Sequence, residues 1–210
     1  MARNIAANER MRLESREQIL AASRKLFSER GFFNCKVADI AVEAGMSQGN
    51  IYWYFPGKEE ILKAILEDGF GRLESLLAEA EMHPGPSSKK IDTLLDEYIA
   101  FGHDHGEFIT IFMSLMSHGG VPFLVELGFD TVQIGTRYHQ HLAAILSVAQ
   151  VEGVVTHIDP QFLSMFFFAF FNGLIITYGK DWEHLPPELI KDAVFRLLGK
   201  GSRTTRGGKK

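Results

Sequence analysis

Residues 37–55 run VADIAVEAGMSQGNIYWYF, and the fold turns on how this stretch divides. Val37, Ile40 and Ala41 share one face of a short helix that Gly45 ends. Ser47 can cap a second very short helix, which Pro56-Gly57 stops. Four aromatic side chains, Tyr52, Trp53, Tyr54 and Phe55, close it, and so short a run cannot bury all four rings against one core. Ile51 and Phe55, four apart, fall on the inner side with Val37, Ile40, Ala41 and Met46. Gln48, Gly49, Asn50, Tyr52, Trp53 and Tyr54 then face outward or sideways. Exposed rings and amides with no charge to solvate them need a partner.

Two short helices joined by a tight turn containing Gly, the second presenting polar and aromatic groups, describe a helix-turn-helix. Phenol hydroxyls, the indole N–H and the Asn50 amide suit phosphate oxygens, and Gln48 suits a base edge. Lys58, opening the next helix, supplies a charged phosphate contact.

Working outward, almost every segment has helical spacing. The first helix is expected from Ser15, where Ser15-x-x-Gln18 has the form of a capping box, through Ile19, Ala22, Leu26 and Phe27 to Gly31. Its apolar side can cover the helix-turn-helix core. A fourth helix starts near Lys58 and carries Ile61, Leu62, Ile65, Leu66, Leu73, Leu76 and Leu77. The break HPGPSSKK (83–90) reads as a loop within a second domain. Apolar periodicity resumes over 91–101, 107–117, roughly 122–151, 161–179 and 187–198; Asp159-Pro160 and LPPE (185–188) mark two helix starts. No alternation of period two and no internal repeat is present, so the fold class is all-α.

The composition, 46% hydrophobic and 23% charged, is that of a soluble globular protein. The single Cys35 excludes an intramolecular disulfide and fits a reducing compartment. The N-terminus lacks the apolar core of a secretory signal, so a cytoplasmic location is expected. Charge is uneven. Residues 1–63 hold ten Lys/Arg against eight Asp/Glu, residues 64–199 seven against eighteen, and residues 200–210 five against none. A basic front and tail around an acidic body are consistent with a polyanion meeting one end. Nucleophile-elbow, P-loop, dinucleotide-glycine and HExxH patterns are missing, so an enzyme is not expected. His103/His105 and His139/His141 have i,i+2 spacing, which points paired rings to different sides of a helix, so neither metal nor cofactor is expected.

Residues 16–66 resemble the DNA-binding domain of the TetR family of bacterial transcriptional repressors. The resemblance rests on the Ile19–Ala22–Phe27–Gly31 frame, IA-x-x-AG-x-S, G-x-IY-x-x-F and the following Lys58. It implies DNA contacts from the turn and third helix, here Ser47, Gln48, Gly49, Asn50, Tyr52, Trp53, Tyr54 and Lys58. Phe55 is expected to point in, Tyr52 to lie at the edge, and Trp53 and Tyr54 to face DNA. Two positions depart from the family pattern: Cys35 and Lys36 stand where members carry Thr or Ser, whose hydroxyl caps helix two and touches phosphate. Cys35 is a poor cap and Lys36 cannot accept a hydrogen bond. A cation at a helix N-terminus is unfavourable by itself, which suits Lys36 to a phosphate. Ala38 replaces a base-reading side chain of some members, so fewer bases are expected to be read from helix two.

The resemblance also implies a homodimer joined through the last long helices, here near 130–151 and 161–179. Residues 160–179 carry no charge and approach a bilayer span in length, but Ser164, Asn172, Gly173 and Thr177 dilute them, and a subunit interface is the expected reading. An effector pocket is implied in the intervening helices, with Phe101, His105, Phe108, Phe112, Met113, Met116, Phe129 and Phe166 as candidates. Such a lining suits a flat or greasy ligand with few charges; ordinary core is the competing reading for each residue. The expected organisation is thus a helix-turn-helix domain over 1–62 (core 15–62), an effector-binding and dimerisation domain over 63–199, and a disordered basic tail over 200–210. The expected function is a ligand-responsive DNA-binding regulator, a repressor released from operator DNA by a small hydrophobic or aromatic effector. The alternatives are a helical carrier or orphan enzyme with a non-functional helix-turn-helix, and an effector-independent DNA binder.

Overall fold

The computed structural model describes residues 2–117 and 119–199. These form α1 (Ala2–Arg30), α2 (Val37–Glu43), α3 (Gln48–Tyr54), α4 (Lys58–Met82), α5 (Ser87–Ser117), α6 (Val121–Glu126), α7 (Thr131–Val151), α8 (Pro160–Tyr178) and α9 (Pro187–Leu197). Short 3₁₀ turns cover Phe32–Asn34 and Gly179–His184, and the described residues hold no strand. The all-α expectation holds. The basic tail over 200–210 lies outside the described residues.

Three boundaries differ from those the sequence suggests: the start of α1, the loop 83–90, inside which α5 already begins at Ser87, and the stretch 122–151, which is two helices, α6 and α7. Helix α1 begins at Ala2, thirteen residues before Ser15. Residues 2–14 contain no Pro or Gly and are rich in Ala, Arg, Glu, Met and Leu, so propensity alone carries the helix back. Ser15 is therefore mid-helix, and Gln18 caps nothing; its side-chain amide donates to the Ala44 carbonyl at 2.8 Å, tying α1 to the end of α2. The stretches 91–101 and 107–117 are two helical segments of α5 that meet at a kink at His105 (φ −130°, ψ 18°). The polar run Gly102-His103-Asp104-His105-Gly106 breaks the apolar pattern at that kink.

The chain forms two compact units. The first takes the residues up to Phe70 together with Glu107–Asp130; the second takes Gly71–Gly106 and the residues from Thr131 onward. Helices α4 and α5 each contribute to both. In the first unit Ile19, Leu26 and Phe27 of α1 are buried, as are Ile40 and Ala41 of α2, Ile51 of α3, Phe55, and Ile61, Leu62, Ile65 and Leu66 of α4. Each such large side chain contributes about 1.5–3 kcal/mol by leaving water. Phe70, Phe108, Phe112 and Phe129 form a ring cluster in the same unit, with Phe70 5.1–5.4 Å from the other three.

Gly69 makes room for that cluster. A Cβ added there would sit 2.2 Å from the Phe108 ring. Alanine for glycine inside a helix ordinarily gains about 1 kcal/mol, whereas forcing a buried ring aside costs about 1–3 kcal/mol. Gly69→Ala is therefore expected to lower stability by up to about 2 kcal/mol in urea denaturation; a gain would mean that the Phe108 ring moves freely.

In the second unit α7 lies along α8, and Tyr98 of α5 is buried among Phe167, Phe168 and Phe171 of α8. Helix α9 is held by Lys191, only 5% exposed, whose ammonium meets Asp92 at 3.0 Å and Asp96 at 2.7 Å on α5. Two carboxylates offset the cost of burying that cation. Helix α8 has the length and apolarity of a membrane span, but Leu163, Phe167, Phe171 and Ile175 are buried within the unit.

Candidate nucleic-acid interface

The turn between α2 and α3 is built as the sequence indicates. Gly45 takes a left-handed φ of 64° after Ala44 closes α2. Such a φ suits glycine, the residue without a Cβ. Ser47 caps α3 by accepting from the Asn50 backbone N–H at 3.2 Å. Ile51 is fully buried and Phe55 is 4% exposed, so α3 is pinned along one side. Its other side presents Gln48, Gly49, Asn50, Tyr52 and Trp53 to solvent, with Tyr54 half-buried. Tyr52, expected at the edge, is 53% exposed, nearly as open as Trp53 at 62%.

Trp53 and Tyr54 meet edge to face at 4.6 Å, which gives each ring a fixed neighbour. The Arg12 guanidinium of α1 also lies over the indole, 4.9 Å from its centroid. Arg16, one turn further along α1, lies 5.1 Å from the Phe55 ring. Two shallow grooves flank this cluster. One, of about 350 Å³, is lined by Ser15, Met46, Asn50, Trp53 and Tyr54. The other, of about 320 Å³, is lined by Glu9, Arg12, Leu13, Arg16 and Tyr54.

At the start of α2 the cap is shared in an unexpected way. Lys36 is the capping residue and leaves its ammonium free of the cap, while the Asp39 carboxylate accepts from the Lys36 backbone N–H at 2.8 Å. An acid three residues after the cap is the return half of a capping box, a signal present in the sequence. Cys35 takes no part in the cap: its thiol is buried, points to the Leu26 and Gly31 carbonyls, and burial raises its pKa.

Lys58 is more deeply engaged than its position suggests. Its ammonium donates to the Phe32 and Cys35 carbonyls at 3.1 and 3.0 Å and lies 4.4 Å from the Phe32 ring centroid. Two of its three N–H donors thus tie the start of α4 to the segment between α1 and α2, leaving one for an outside acceptor.

The candidate effector residues are divided between the two units. Phe108, Phe112 and Phe129 belong to the ring cluster of the first, and the half-buried Met113 and Met116 lie in the same unit. Phe101 and His105, with rings 4.9 Å apart, belong to the second. Phe166 is 40% exposed on α8. Sequence reasoning passed over Tyr98, whose hydroxyl is pushed well above its usual pKa by burial. It also missed the 2.8 Å bond between His139 and the buried Ser164. Burial lowers the His139 pKa, favouring the neutral ring. His141 turns instead to Glu81 at 2.6 Å and Glu74 at 3.5 Å on α4, so the two histidines serve different neighbours.

Residues 19–65, from within α1 into α4, match the model for bacterial regulatory proteins of the tetR family. The probable HTH-type transcriptional regulator ArpR of Pseudomonas putida is 43% identical over 165 residues, covering 68% of this chain and 79% of ArpR. The chain belongs to the TetR family. Its length is matched too: the uncharacterized HTH-type transcriptional regulator YdgC of Bacillus subtilis (strain 168) is 25% identical over 199 residues, covering 90% of this chain and 96% of YdgC. The fold is similar to that of the ketosteroid transcriptional regulator KstR2 of Mycobacterium tuberculosis, with a TM-score of 0.73 at 16% identity over 90% of this chain and 95% of KstR2. As a TetR-family member the chain is a helix-turn-helix transcriptional regulator, and α2 and α3 lie within the stretch that matches the family model.

Proposed function

We propose that this regulator is a cytoplasmic homodimeric repressor that leaves its operator when a hydrophobic, weakly charged effector binds. The observation that carries the DNA contact is α3 itself, with one side pinned by Ile51 and Phe55 and the other offering amides and rings to solvent. Ser47, Gln48, Gly49, Asn50, Tyr52, Trp53 and Tyr54 form the contact set, with Lys36 and the remaining donor of Lys58 on phosphate. Residues 1–62 act as the head, and 63–199 as the body that senses ligand and pairs with a second copy.

Dimerisation is supported by α8, where Phe162, Met165, Phe166 and Ile176 are 40–58% exposed at helical spacing. A row of that kind needs cover in water, and a self-complementary two-fold contact supplies it. Phe166 then belongs to the subunit interface and leaves the pocket set. In a dimer the two α3 helices enter successive major grooves only when about 34–36 Å apart. An effector that prefers the dimer with another spacing weakens operator binding by its differential affinity for the two states. Helices α4 and α5, each running through both units, are the elements suited to carry that change. The aromatic candidates and the fold shared with a ketosteroid regulator favour a flat, largely apolar ligand.

Release tests the effector reading. Protein held on a fluorescent duplex from its own upstream region is expected to dissociate when some members of a panel of uncharged polycyclic and aryl compounds are added, and those same members are expected to raise its Tm. A panel that shifts neither quantity contradicts it.

A further inference from the structure

We infer that the N-terminal half of α1 is a second strip of the DNA-binding surface, with Arg12 and Arg16 on the phosphate backbone beside the groove that α3 enters. This inference rests on the DNA-binding reading above and adds a set of contacts to it. Charge on α3 is short. The helix carries no cation, yet duplex DNA is held chiefly through its phosphates. Of the other cations of the head, Lys25 pairs with Glu43, Arg24 pairs with Glu17, Lys58 spends two donors on carbonyls, and Lys36 stands at the start of α2. Among the described residues Arg12 and Arg16 are in no ion pair, and both are exposed.

Their place on the helix points the same way. Counting back along one face of α1, Phe27, Ser23 and Ile19 are buried, and the same face then continues through Arg16 and Arg12. A stripe that is core up to Ile19 thus becomes basic where α1 outruns the three-helix core. There it borders α3, and Tyr54 lines a groove with Arg12 and Arg16. Glu9 stands on the same groove and offsets part of the charge. The contact of Arg12 with the indole also positions Trp53, one face of which is covered by the guanidinium. One guanidinium can both stack on an aromatic face and donate from its edge to a phosphate, which an ammonium does less well.

The test is the salt dependence of binding, read by fluorescence anisotropy on two labelled duplexes, one from the protein's own upstream region and one of random sequence at low salt. Removing one phosphate contact lowers the slope of log K against log salt by about 0.9, and a dimer carries every contact twice. Arg12→Gln is expected to reduce the slope by about 1.8, with affinity at 0.1 M salt down on the order of fifty-fold. Arg12→Lys is expected to restore the slope. Arg12→Gln/Arg16→Gln is expected to reduce it by about 3.6. Unchanged thermal melts check that the exposed substitutions leave the fold intact. Wild-type slopes in the variants would overturn the strip while leaving the helix-turn-helix reading in place. Failure of the wild-type protein to bind either duplex would overturn both.

Discussion

Trp53→Ala is expected to weaken operator binding by about 2–6 kcal/mol per dimer while lowering stability by only about 1 kcal/mol. The asymmetry follows from where the ring sits. The indole is 62% exposed, so its removal opens no cavity. What the fold gives up is one exposed stack with Arg12 and one edge contact with Tyr54, each worth about 0.5 kcal/mol at so open a site. On DNA, by contrast, a recognition-helix side chain is worth about 1–3 kcal/mol per contact, and the dimer presents it twice. Anisotropy on the upstream duplex beside a calorimetric melt reads both quantities. Intact binding with lowered stability would make Trp53 a cover for α1 and remove it from the DNA set.

The second large effect concerns assembly. Phe166→Glu places a carboxylate on the exposed row of α8, and in a two-fold dimer it does so twice. Burying an unpaired charge costs several kcal/mol for each group even after relaxation. The variant is expected to sediment as a monomer at micromolar concentration with an unchanged far-UV spectrum, because Phe166 is 40% exposed in the single chain. Operator affinity is expected to fall by about a thousandfold or more, towards non-specific strength, because one head engages one half-site. Leu189→Glu, at an exposed position on α9, controls for charge alone and is expected to change neither property. A Phe166→Glu protein that remains a dimer would move the interface to another face.

The head was legible in the sequence because each of its parts leaves a local mark. Buried positions recur at helical spacing, glycine stands where the backbone turns left-handed at Gly31 and Gly45, and a serine hydroxyl caps α3. The early start of α1 left no such mark. Its residues 7–14 are exposed on every side, so no apolar stripe announces them, and only propensity carries the helix. The role of Lys58 was hidden for a different reason. Its partners are backbone carbonyls 23 and 26 residues away, and a carbonyl has no residue type to recognise. The pocket candidates show the limit most plainly. Phe108 and Phe101 look alike as apolar positions at helical spacing, yet a kink at His105 lies between them and they belong to different units. Phe166 and Phe167 are neighbours in sequence, and only the orientation of α8 makes the first exposed and the second buried.

The α3 face is expected to bind operator DNA specifically. The most direct test is a fluorescence titration of the protein against its own upstream intergenic DNA, at two salt concentrations, beside a scrambled duplex of equal length. Binding at least about a thousandfold tighter to the upstream duplex, weakening steeply as salt rises, is the predicted result. Absence of salt-dependent binding to either duplex would contradict this expectation and leave a helical ligand carrier whose helix-turn-helix no longer meets DNA.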